Sequence, residues 1–127
     1  MRRALLALLA LVGLLAACTP RNNLGTTSTA CIKAIPAATA DVHRKGRPEG
    51  VREVIAARLA PRLPRLAPLG NQHLCLVAFS DDFKPGDVTS AATQRAGRYA
   101  VVVVDTKGKV LVAFVLDSLP LRFRHPL

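Results

Sequence analysis

Cys31 and Cys75 have the widest chemical choice in this chain, and His73 stands two positions before one of them. Residues two apart on a strand share a face. His73 and Cys75 therefore offer an imidazole and a thiolate to one point. With Cys31 or His43 they make a ligand set for a soft metal such as copper. The same two sulfurs can instead bond to each other, and Cys75 cannot do both. A third use is plain packing, since a buried thiol behaves as a small hydrophobe. Neither Cys-x-x-Cys nor His-x-x-x-His occurs, so the short spacings of zinc sites are missing.

The carboxylates concentrate at Asp81, Asp82 and Asp87, around Lys84-Pro85-Gly86. A calcium loop converges several oxygens on one point at alternate positions. No Asp-x-Asp-x-Asp-Gly run is present, so the cluster reads as a solvated turn with Asp87 as a helix cap. No Gly-x-Ser-x-Gly elbow offers a serine nucleophile. The segment after the first strong strand, Ser80-Asp81-Asp82-Phe83, lacks the cysteine that redox chemistry would need there. The sequence thus assigns no catalytic residue, no metal and no cofactor.

The start of the chain carries a different kind of information. Arg2 and Arg3 precede an apolar run from Ala4 to Ala17, broken only by Gly13, and the run closes on Leu15-Ala16-Ala17-Cys18. Basic start, apolar middle and small-residue end are the parts of a secretory signal. The last four residues resemble the lipobox of bacterial lipoproteins. That resemblance implies cleavage before Cys18, lipid on its thiol, and a membrane-anchored protein facing the periplasm or the cell exterior. It covers the signal alone. A membrane span needs roughly 20 apolar residues, more than this run supplies.

On this reading residues 1–17 are the signal and 18–30 are the lipidated cysteine with a polar tether. Residues 31–127 are one small domain. Outside the reducing cytosol disulfides persist. Export therefore favours a Cys31–Cys75 bond over free thiols or metal.

Charge narrows the partners. The formal net charge is +10, and loss of Arg2 and Arg3 with the signal leaves +8. A basic domain beside a membrane is drawn to anionic head groups or to an acidic protein. Nucleic acid is not expected at that location, and aromatic residues for stacking on bases are scarce. Arg52, Arg58, Arg62 and Arg65 form one basic group, and Arg122 and Arg124 a second.

The elements that must carry these residues follow from spacing and punctuation. Pro36–Lys45 reads as a short helix closed by Gly46. Pro48–Ala60 reads as a second, with Val51, Val54, Ile55 and Leu59 on one stripe, although a strand over 51–59 also fits. Three prolines make Pro61–Pro68 an extended connector. The sequence His73–Phe79 is a strand, Ser80–Gly86 a loop, and Asp87–Ala96 a short crossover helix. Arg98–Val104 and Val110–Leu116 are strands joined by a hairpin, with Gly108 in the left-handed position. These strands are apolar at odd and even positions alike, which demands cover on both faces of their sheet. The tail alternates Leu121 and Phe123 with Arg122 and Arg124.

The expected fold class is α+β: a small, mostly antiparallel sheet of three or four strands, two N-terminal helical segments and a crossover helix. The expected function is that of a non-catalytic, lipid-anchored envelope protein. It would bind a partner protein or an anionic envelope component through a basic surface. The alternative is a lipoprotein binding a small ligand or a metal between helices and sheet.

Overall fold

The computed structural model describes residues 29–119. Two short helices, α1 (Thr29–Ile32) and α2 (Ile35–Asp41), lead into strand β1 (Arg47–Ile55). Helix α3 (Ala56–Leu59) and a 3-10 helix (Pro64–Leu69) separate it from β2 (His73–Phe83). Strands β3 (Gly97–Asp105) and β4 (Val110–Leu116) complete the domain. The sheet order is β1-β2-β3-β4, with every neighbour antiparallel. This is the expected α+β class.

The valine run Val101–Val104 puts the most β-favouring stretch into an inner strand. Alternate residues of that strand bury on opposite sides, and each side has its own cover. Val102 and Val104 join Cys75, Val77 and Phe79 beneath α1, α2 and the turn between them, which contribute Cys31, Ala38 and Ala34. On the other face, Leu74, Val103 and Val112 pack against Ala56 and Leu66 from the α3/3-10 layer. Leu119 covers Ala78 and Val101 farther along that face. The two-sided cover expected from the unbroken apolar strands is present.

Three local expectations need correction. The predicted helix over Pro48–Ala60 is mostly strand β1, with only Ala56–Leu59 helical. Val51, Val54 and Ile55 are β-branched. Their backbone pairs with β2, Val51 opposite Val77 and Ile55 opposite His73. Pro48 is tolerated because this strand is an edge and a register shift falls between Pro48 and Gly50.

The connector Pro61–Pro68 is not extended, because it holds most of the 3-10 helix. Leu63, Leu66 and Leu69 recur every three residues, the period that stacks side chains on one face of a 3-10 helix. All three pack against the sheet.

The predicted crossover helix Asp87–Ala96 does not form. Two of its backbone groups go to β4 instead: Ala92 N–H donates to Ala113 O, and Ala113 N–H donates to Ser90 O, each at 2.9 Å. The segment thereby seals the middle of the β4 edge, with Ala91 bridging Ala113 in parallel.

Two further boundaries move. Helix α2 stops at Asp41, short of the expected Lys45, because His43 and Arg44 turn into the left-handed region at φ 55° and 59°. Strand β2 runs on to Phe83 through the expected loop, with an irregularity between Ser80 and Phe83. The β3–β4 hairpin forms as expected, and Gly108 takes φ 89°.

Candidate functional site

Cys31 and Cys75 form a disulfide, with Cα atoms 5.3 Å apart and both residues fully buried. The bond fastens α1 to the second strand of the sheet. It spends the sulfur that a metal site at Cys75 would have used. His73, exposed at the start of β2, pairs instead with the Glu53 carboxylate. Among the described residues no group of three His, Cys, Asp or Glu is placed to hold a metal ion.

The basic group expected at 52–65 divides. Arg58, Arg62 and Arg65 are all exposed on the α3/3-10 layer. That layer is clasped at its ends by Ala56 N–H to Gln72 O and Ala57 N–H to Gly70 O, at 2.9 and 2.8 Å. Its leucines face the sheet and its arginines face solvent. No acidic residue occurs from 54 to 80, so nothing local neutralises them. Arg52 lies on β1, half-buried opposite Leu76, and is separate from this outer group. Cys18, Arg122 and Arg124 fall outside the described residues.

The acidic cluster is tied up in local structure. Asp87 does not cap a helix. Its Oδ2 accepts from Lys84 N–H and from Lys45 Nζ, both at 2.7 Å. The Lys45 hydrogen bond, then that backbone bond, holds the Asp87 carboxyl below its ordinary range; the same contact raises Lys45. Lys45 also donates to Asp82 O and lies 5.8 Å from the Phe83 ring centre. Asp81 accepts the Asp82 N–H at 2.6 Å. Beside this knot, Ser80 donates to Glu49, which also takes a hydrogen bond from Arg47 at 3.0 Å. The serine contact first, and Arg47 after it, lower the Glu49 carboxyl.

Ser80, Asp81, Asp82, Arg98 and Tyr99 line an open cleft of about 470 Å³. It lies at the end of β2 and the start of β3, not between helices and sheet as the small-ligand alternative supposed. Its walls are mostly exposed, so its carboxylates and guanidinium work in water, where electrostatic effects are weak.

One polar group was not legible in the sequence. Asp41, 8% exposed, accepts from Ser90 Oγ at 2.6 Å and from Ser90 N–H at 3.3 Å. Beside it His43 Nε2 meets Thr89 Oγ1 at 2.8 Å. The serine donates to the carboxylate directly, with no imidazole between them, so this is not a proton relay of the hydrolase kind. It pins residues 89–90 against the end of α2. The partners are 46 and 49 positions apart, a separation that leaves no signal in spacing.

No protein-family model, curated protein or solved structure matches the chain. Among the described residues no helix is long and apolar enough to cross a membrane.

Proposed function

We propose that this chain is a lipid-anchored protein of the bacterial envelope, non-catalytic, which binds an anionic partner through the arginine-bearing α3/3-10 layer. The cysteine accounting carries the reading. The chain has three cysteines, and two of them are bonded to each other. Cys18 is left over, at the position where the lipobox-like run Leu15-Ala16-Ala17 requires a cysteine. A buried disulfide also suits a chain that matures outside the reducing cytosol. The binding role is supported by three exposed arginines on a layer without carboxylates.

The test is growth with labelled fatty acid. Wild-type protein takes up label and fractionates with membranes, while Cys18→Ser stays an unlabelled precursor of larger mass. Equal labelling of the two would refute the assignment.

A further inference from the structure

We infer that the domain docks end-on against an anionic bilayer, through the end of the sheet from which its tether leaves. The inference rests on the lipid-anchor reading and adds the contact surface and its partner, the head groups of the anchoring membrane.

The topology gathers three features at one end of the sheet. Cys31 is bonded to Cys75, two residues into β2, which puts Thr29–Ile32, the first described element, near that end. Ile55 pairs with His73, which puts the start of the α3/3-10 layer there. Leu74 pairs with Asp105, which puts the β3–β4 hairpin there. Together these bring Lys33, Arg58, Arg62, Arg65, Lys107 and Lys109 to one end, all exposed. None of the six is in an ion pair among the described residues.

The two carboxylates at this end are engaged. Glu53 holds His73. Asp105 accepts the N–H groups of Lys107 and Lys109 within its own hairpin, at 2.9 and 2.8 Å. Next to Lys33 stands Ile32, at 41% the one large hydrophobic side chain left exposed among the described residues. An exposed apolar side chain at a cationic end is the pattern of a surface that enters a head-group layer.

The opposite end is different in kind. There Lys45 pairs with Asp87, Arg47 with Glu49, and Arg95 with Asp117, and exposed Arg98 shares a cleft with Asp81 and Asp82. Phe83 lies ten residue steps along β2 from His73, about 33 Å at 3.3 Å per step. That is several times the Debye length of about 8 Å at physiological ionic strength. The balanced end therefore cannot neutralise the cationic one, and the domain presents one charged pole. A short tether leaving from that same pole selects the bilayer over a soluble acidic protein.

The chain has no tryptophan, so single reporters can be placed cleanly. Ile32→Trp marks the tether end and Ala96→Trp, also exposed, marks the other. Full-length mature protein carrying each reporter is reconstituted into phosphatidylcholine vesicles with or without phosphatidylglycerol, using brominated acyl chains as quencher.

The expected result is blue-shifted, quenched emission from the Ile32→Trp reporter in the phosphatidylglycerol vesicles at low salt. That signal is lost at high salt, and the Ala96→Trp reporter stays unquenched throughout. Arg62→Glu/Arg65→Glu and, separately, Lys107→Glu/Lys109→Glu should each release the tether-end reporter, because each basic residue near an anionic surface is worth about five-fold in the docked population. Equal behaviour of the two reporters, or indifference of the tether-end one to phosphatidylglycerol, would overturn the docking. If mass analysis finds no lipid on Cys18, the anchor reading fails by itself. The same reporters are then read with the full chain added to preformed vesicles, where the same outcomes decide.

Discussion

Removing the Cys31–Cys75 bond should destabilise this domain more than any other single covalent change. The two residues are 44 positions apart. Closing a loop of that length in the unfolded chain is worth about 4 kcal/mol in the chain-entropy model. A domain of this size has a net stability of roughly 5–15 kcal/mol, so the bond is a large share. Alanine at both positions also deletes two sulfurs from a fully buried cluster, which adds a packing loss of about 1 kcal/mol.

Cys31→Ala/Cys75→Ala should therefore lose about 4–5 kcal/mol in urea unfolding. Its melting temperature should fall by roughly 20 °C or more. Reduction of the wild type should reproduce most of that loss without the packing part. A reduced protein within about 1 kcal/mol of the oxidised one would refute the reasoning. It would mean that α1 contributes nothing to the sheet's stability and that the unfolded chain is not restrained by the loop.

Other consequences are open to the same kind of measurement. A Cβ added at Gly97 would stand 2.8 Å from both Leu116 O and Val115 Cγ1 on the neighbouring strand, so Gly97→Ala should lose about 1–3 kcal/mol in urea unfolding. No measurable loss would show that β4 can give way there. Asp105→Ala removes the acceptor for two N–H groups of the β3–β4 hairpin; thermal unfolding should show a loss of about 1–2 kcal/mol. Asp87 and Glu49 are both held below their ordinary range in the folded state. Their contribution is present above the unfolded carboxylate values and is lost as pH falls below about 4. Acid titration of Asp87→Asn should have a shallower slope there than the wild type, and an identical slope would contradict the Lys45–Asp87 link.

Much of the fold could be read in advance, and the reasons are local. Val101–Val104 and Val110–Leu116 are rich in β-branched residues with turn chemistry between them, and no helix competes for such a stretch. The disulfide was one of three uses open to two cysteines, and the signal-like start favoured it. What failed depended on distant partners. Val51, Val54, Ile55 and Leu59 fit a helical stripe, yet pairing along β2 settles the first three as strand. Residues 87–96 have helix punctuation at both ends, yet the open edge of β4 takes the Ala92 N–H and the Ser90 C=O.

The 3-10 helix does leave a trace in the sequence: Leu63, Leu66 and Leu69 recur at period three, although the prolines among them are equally at home in an extended chain. Of the candidate site, Arg58, Arg62 and Arg65 were legible as a basic group. Their junction with Lys33, Lys107 and Lys109 needed the sheet register to bring three segments to one end.

The order β1-β2-β3-β4 has a consequence for how quickly the domain assembles. Each strand's neighbour in space is its neighbour in sequence, so no pairing has to span another strand, although only the β3–β4 connection is short. The β3–β4 hairpin, with only Thr106–Lys109 between its strands, is the natural starting point, on a time of about 1–10 μs for an isolated hairpin. Addition of β2 and then β1 lengthens the sheet one edge at a time. Cys31 lies ahead of all four strands, and its partner Cys75 lies on the second. The thiols are therefore expected to meet only after the sheet has grown back as far as β2. Oxidation would then record a fold that the meander has already reached, and refolding of the reduced chain should show near-native sheet signals before the bond closes.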